Sequence, residues 1–315
     1  MRKDQSILIT GAHGMLGKAI TRLLTEEGYV NLLTPTRKEL DLENRDLARA
    51  YLSNTKPVVV FHLASKVFGL KGNIDNQLHV FSSNTLINLN LIDACSATKV
   101  KKIVAAGTVA GYPFPFPRLP LVEEDFTLGL PHGGEYAYAQ TKRHMLAHLE
   151  TLRRDKKADY LFCLLTNLYG PGDNFDPSNG HVIPSLIYKA IASMKENDVF
   201  EVWGDGSQIR DFMYVDDAAR AMLTAASTAS GTLNISSGKG ISLRQVVDDL
   251  CSILQHPQGA IWQSDMPIGI PERTVDNTKL IRLGFTTKTT LQDGLRRTVD
   301  WALENWGHLR GAPSH

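Results

Sequence analysis

The chain has 315 residues, with 34 lysines and arginines against 33 aspartates and glutamates, a formal net charge of +1. No long run of one sign occurs, which argues against a polyanion-binding surface, so no nucleic-acid partner is expected; a local basic pocket for a phosphate is still allowed. No apolar run approaches the roughly 18 residues of a membrane span, and Cys95, Cys163 and Cys251 lie far apart among apolar residues, the pattern of reduced core cysteines rather than of a disulfide or metal site. A cytoplasmic protein of one large or two modest domains is expected, with no membrane partner and no metal.

Ser6-Ile7-Leu8-Ile9-Thr10 reads as a buried strand. It runs into Gly11-Ala12-His13-Gly14-Met15-Leu16-Gly17 and a helical pattern through Leu24. Strand, glycine-rich turn and helix form the context in which glycines mean dinucleotide binding: Gly11 and Gly14 permit a tight turn close to a pyrophosphate, Gly17 lets helix and strand approach, and the helix N-terminus favours the negative charge. The next strand, around Val30 to Leu33, should deliver the group that reads the adenosine ribose. It leads to Thr34-Pro35-Thr36-Arg37-Lys38 with no acid before Glu39, which favours NADP over NAD, unless the two cations are only solvated; Asp41 and Leu42 could border the adenine.

Pro57 to Ala64 is apolar throughout, as parallel strands covered on both faces tend to be. A helix over Thr85–Ala97 and a strand over Lys102–Ala106 follow. The βαβα alternation predicts a Rossmann-type doubly wound parallel sheet, with ligands beyond the carboxyl ends of its strands. There Gly107-Thr108-Val109-Ala110 emerges, and the Thr108 hydroxyl could bind a carbonyl oxygen or merely cap a turn. In Glu135-Tyr136-Ala137-Tyr138-Ala139-Gln140-Thr141-Lys142 the i, i+4 spacing puts the Tyr138 hydroxyl and the Lys142 ammonium on one helix face. A phenol beside a fixed cation should have a lowered pKa. It could give the proton needed when a carbonyl is reduced.

After a strand at Tyr160–Leu165, a stretch dense in Gly, Pro, Asn and Asp runs from Thr166 to Pro184 and carries His181, a candidate acid or ligand group at the start of a helix. Loops this long in compact domains are usually functional or disordered, and the aromatic residues within it argue against disorder. Trp203 could stack on a base and Arg210 grip a phosphate; either could equally pack, or pair with Asp216 or Asp217. A helix from Ala218, a strand at Thr232–Ile235 and helices at Ser242–Leu254 and Leu291–Trp306 complete the chain. No linker separates the lobes, so an NADP-binding domain of residues 1–168 plus about 210–236 is expected to interleave with a substrate lobe of about 169–209 plus 237–315, a smaller, mostly C-terminal α/β unit.

Over nearly its whole length the chain resembles the extended short-chain dehydrogenase/reductases, and within them the GDP-L-fucose-synthase-like family. The general marks are Gly11 to Gly17, Thr108 four residues before Tyr112, and the Tyr138–Lys142 pair. The narrower ones are Ala64-Ser65-Lys66-Val67, Thr166-Asn167-Leu168-Tyr169-Gly170-Pro171, Asp173-Asn174-Phe175, Pro177-Ser178-Asn179, His181-Val182-Ile183-Pro184 and Trp203-Gly204. The resemblance implies that Thr108, Tyr138 and Lys142 form a reducing triad working with NADPH. It implies a cofactor site of Gly11, His13, Gly14, Met15, Leu16, Gly17, Arg37, Lys38, Asp41, Leu42, Leu63, Ala64, Lys66, Lys142, Leu165, Asn167 and Leu168. The substrate would meet Thr108, Val109, Ala110, Tyr138, Asn167, His181 and Val182, with Trp203, Arg210 and Arg273 at its GDP end. A homodimer through the Tyr138 helix and its neighbour is also implied.

The family's epimerisation uses a cysteine at the place of Ala110 as base and the histidine matching His181 as acid. Alanine can do neither, and losing a general base commonly costs about 10²- to 10⁴-fold. An NADPH-dependent C4-reductase of a GDP-4-keto-6-deoxy-sugar, hexose or heptose, with little or no C3/C5 epimerisation, is therefore expected. The alternatives are a bifunctional epimerase-reductase with a replacement base, and a non-catalytic NADP- or nucleotide-sugar-binding regulator.

Overall fold

The computed structural model describes residues 1–67, 69–265 and 269–312. In chain order the strands are β1 (Ile7–Thr10), β2 (Leu32–Leu33), β3 (Val59–His62), β4 (Lys102–Ala106), β5 (Asp159–Leu165), β6 (Asn167–Tyr169), β7 (Phe200–Trp203), β8 (Ile209–Tyr214), β9 (Gly231–Ile235), β10 (Gly240–Ser242), β11 (Ala260–Gln263) and β12 (Glu272–Arg273). The helices are α1 (Met15–Glu26), α2 (Arg45–Thr55), α3 (Leu70–Asp75), α4 (Gln77–Ser96), α5 (Tyr136–Arg154), α6 (Val182–Glu196), α7 (Val215–Thr228), α8 (Leu243–Leu254), α9 (Thr278–Arg282) and α10 (Leu291–Glu304).

A parallel sheet in the order β2-β1-β3-β4-β5-β9 forms the centre. The period of two along each strand explains why its residues are apolar throughout. Ile7 and Ile9 enter a core shared with α1 and α7, whereas Leu8 enters one shared with α2, α4 and α5. The doubly wound architecture expected from the alternation is what the chain adopts. The first core continues without a break into Ile187 of α6, Val246 and Leu250 of α8, and Leu295 of α10.

A smaller sheet, β10-β8-β12 with β6 alongside β8, stands beyond the carboxyl ends of the central strands, and β11 pairs with β7. These short strands were not legible as such. The helix expected at Thr85–Ala97 begins earlier, at Gln77. Its pattern is mixed: Asn84, Asn88 and Asn90 are buried alongside Ile87, Leu91 and Ile92, while Leu78, Phe81 and Leu89 are exposed, so no ordinary apolar stripe marks it. The strand expected over Pro57–Ala64 is confined to Val59–His62, because Leu63 and Ala64 turn aside to donate their N–H groups to Thr10 Oγ1. No described helix is long and apolar enough to cross a membrane.

Candidate active site

Because the central strands are parallel, the segments that follow β1, β3, β4 and β5 all leave at one edge and face the smaller sheet. Between them lies a cleft of about 760 Å³. Its floor begins at the glycine turn. Gly11 has φ +71°, and a Cβ there would lie 2.8 Å from the Ala64 nitrogen; at Gly17 a Cβ would come within 2.1 Å of the Gly11 carbonyl oxygen. Gly14 caps α1 with no side chain on its first N–H groups and no acid in its first turn. An uncapped helix N-terminus behind a bare backbone cradle fits a dinucleotide pyrophosphate. His13, Met15, Leu16, Leu63, Ala64, Leu165, Asn167 and Leu168 line the same floor.

An adjoining hollow of about 290 Å³ is lined by Arg37, Asp41, Leu42, Glu43 and Lys66. Here Glu43, which the sequence reading overlooked, takes both cations: its Oε1 is 2.9 Å from Arg37 and 3.0 Å from Lys66. Glu39 folds back onto Thr36 instead. Lys38 and Trp203 are not among the residues lining either hollow. Trp203 is 53% exposed, with the Lys189 ammonium over its ring at 5.4 Å.

At mid-cleft, α5 presents Tyr138 and Lys142 on one face, the Lys142 Nζ 5.5 Å from the phenol ring centroid. Burial lowers Lys142 to about 8. The phenol does not move as expected. Burial raises its pKa well above the ordinary tyrosine range, a hydrogen bond with Ser65 opposes that rise, and Glu135 adds to it. Loss of hydration of the tyrosinate therefore outweighs any help from the cation in the ligand-free protein. Beneath Lys142, His62 is buried and held neutral, its pKa pushed to about 3 by burial and by the Lys142 charge; its ring nitrogens meet Thr10 Oγ1 at 2.9 Å and Asn88 Oδ1 at 3.0 Å.

Thr108 lines the cleft and also caps the turn Val109–Gly111, accepting the Ala110 N–H at 3.2 Å. Ala110 is 6% exposed, on the cleft wall. One α5 residue fixes this loop to the helix: Arg143 donates to the carbonyls of Gly111, Gly129 and Leu128 at 2.8, 2.7 and 2.8 Å. Asn167 spends its amide N–H on the Asp211 carbonyl at 3.0 Å.

The far wall is cationic. Arg210 donates to the carbonyls of Ile209 and Ile270 at 2.8 and 2.6 Å, and burial, with help from Arg273, lowers it to about 10. It has no part in an ion pair with Asp216 or Asp217, which bind Arg22 and Arg220. Arg273 of β12 makes a two-pronged pair with Glu135, at the turn before α5. His181 stands at the N-terminal boundary of α6 with its ring 3.1 Å from Asp173 and no bond to the helix N–H groups, and Val182 is beside it on the cleft wall. Arg310, from the segment after α10, joins this wall, and nothing in the local sequence around it signals that role.

Residues 7–236 match the NAD dependent epimerase/dehydratase family. GDP-L-fucose synthase 1 of Arabidopsis thaliana is 34% identical over 308 residues, covering 96% of this chain and 94% of that protein. GDP-L-fucose synthase of Escherichia coli (strain K12) is 30% identical over 320 residues, covering 98% and 99%. The crystal structure of a GDP-L-fucose synthetase from Naegleria fowleri bound to NADP superposes with a TM-score of 0.89 at 26% identity, over 98% of this chain and 97% of that one. The parallel sheet, the glycine cradle and these matches make the chain a member of the NAD dependent epimerase/dehydratase family.

Proposed function

We propose that the protein is an NADPH-dependent C4-reductase of a GDP-4-keto-6-deoxy-sugar, hexose or heptose, with little or no C3/C5 epimerisation, serving glycan, capsule or O-antigen precursor synthesis by family analogy. The observation that carries this reading is the composition of one cleft wall: Thr108, Tyr138 and Lys142 face the space beside the glycine cradle, while Ala110 stands where an epimerase needs a base.

NADPH, when bound, supplies the hydride. The rest is done by the chain. Gly11, Gly14 and the start of α1 would hold the pyrophosphate of the cofactor, and Arg37 and Lys66, paired with Glu43 in this structure, would hold its 2′-phosphate. Thr108 donates to the ketone oxygen and orients it. Tyr138 gives that oxygen a proton as it becomes an alcohol, and solvent returns a proton to the phenol afterwards. Lys142 steadies the tyrosinate, reversing at that moment the cost that burial imposes on both groups. Arg210 and Arg273 receive the diphosphate of the substrate, and Asn167 and His181 face the sugar. A homodimer through α4 and α5 is supported by the exposed stripe Leu78, Phe81 and Leu89 on α4.

Purified protein should oxidise NADPH with GDP-4-keto-6-deoxymannose, and Tyr138→Phe should lower that rate about 10²- to 10⁴-fold. Retention of the rate by Tyr138→Phe would refute the reading. In heavy water, rapid deuterium entry at C3 and C5 of the keto sugar would restore the bifunctional alternative.

A further inference from the structure

Asp173 and His181 form a pair that reduction alone leaves without a task. Asp173 is 4% exposed. Its Oδ1 accepts the Asn174 backbone N–H at 2.7 Å and stands 3.1 Å from His181 Nδ1. Its Oδ2 is buried and meets no donor. A carboxylate shut away from water is costly unless a cation or strong donor compensates it. The His181 side chain, 44% exposed, supplies that compensation and keeps its other ring nitrogen for the cleft.

Two fields work against a cation at His181. It sits at the N-terminal end of α6, where the helix dipole disfavours positive charge, and Arg310 is close enough to repel it. Loss of hydration on burial is the largest effect against the imidazolium, yet the charge of Asp173 and its hydrogen bond together outweigh it and the repulsion from Arg310, and the histidine pKa is raised. His132, Glu135, Tyr138, Lys142, Arg210 and Arg273 line the facing walls of the cleft.

We propose that Asp173 is a positioning residue that fixes the His181 ring as a charged donor, Nε2–H turned to an oxygen of the bound sugar, so that with alanine at position 110 the histidine serves binding rather than proton transfer. The binding half of this rests on the keto-sugar reading of the cleft; the charge half does not.

The test begins with the ligand-free protein. Its histidine ring resonances are titrated by NMR, and the His181 signal is identified by its loss in His181→Gln. The wild-type midpoint should lie above the ordinary value of about 6.5, and Asp173→Asn should bring it below that value. Kinetics with GDP-4-keto-6-deoxymannose follow: Asp173→Asn should raise KM about tenfold or more while kcat stays within about threefold. A wild-type midpoint at or below the ordinary value, a midpoint unmoved by Asp173→Asn, or a loss confined to kcat would overturn the proposal. Should the variant not fold, the wild-type titration decides alone. Wild-type protein inert toward every keto sugar nucleotide, with the titration as expected, would strike the functional reading and leave the charged pair standing.

Discussion

Lys142→Met should make the ligand-free protein more stable while abolishing reduction. The wild-type ammonium is 2% exposed, and burial brings its pKa from 10.5 to about 8. The unfolded chain thus holds this proton more tightly than the folded one. Below about pH 8 the folded state carries the whole penalty, and between about 8 and 10.5 stability rises with pH as the unfolded chain keeps a proton the native state has lost. The drop in pKa corresponds to about 3 kcal/mol at pH 7, a large part of the roughly 5–15 kcal/mol that holds a domain together. Methionine keeps the length and adaptable stem without the charge. Urea unfolding of both proteins near pH 7 should therefore favour the variant by up to about 3 kcal/mol, and the gap should close as pH approaches 10.5. A variant no more stable than wild type near neutrality, or a gap indifferent to alkaline pH, would refute the reasoning. The expected result would mean that the site gives up stability for a proton held where the chemistry needs it.

Ala110→Cys places a thiol on the cleft wall; it should accelerate deuterium entry at C3 or C5 of the keto sugar by about 10²- to 10⁴-fold, followed by NMR or mass spectrometry, and a variant as inert as wild type would show that more than this base is missing. Arg37→Ala should raise KM for NADPH roughly ten- to a hundredfold and leave NADH nearly unaffected, since it removes a charge-assisted contact to the 2′-phosphate alone. His62 is neutral when folded and ordinary when unfolded, so acid favours the unfolded chain: this one group should remove about 2 kcal/mol of stability between pH 7 and 5. In His62→Asn the stability–pH curve over that range should be flatter by that amount in thermal or urea melts.

The parts of this molecule that were legible in the sequence depend on near neighbours. Gly11 to Gly17 works within one turn, Tyr138 and Lys142 are one helical turn apart, and the apolar runs at Ile7, Val59 and Lys102–Ala106 carry the sheet in their own composition. What was hidden depends on partners far along the chain. Glu135 pairs with Arg273 across 138 positions. Glu43 intercepts Arg37 and Lys66, a competition invisible when Arg37 and Lys38 are read alone. Arg310 reaches the cleft only because the segment after α10 packs under the 170s loop, where its carbonyl accepts the Phe175 N–H at 2.8 Å. The phenol pKa was misjudged for a related reason: spacing shows that a cation is near, but not how little water remains around both groups. Strands β7, β10 and β11 have only three or four residues each, too few for alternation to stand out, and β12 has just two.

The Arg143 clamp has a consequence for behaviour in salt. Its three partners are carbonyl dipoles rather than carboxylates, so the loop bearing Thr108 is tied to the helix bearing Tyr138 and Lys142 by bonds that mobile ions compete with only weakly. The cofactor phosphate would instead meet Arg37, which is two-thirds exposed, through full charges that salt does screen. Rising ionic strength should accordingly erode the hold on the cofactor well before it loosens the reacting groups, and an enzyme saturated with both NADPH and its substrate should lose far less of its rate to salt than one at low cofactor.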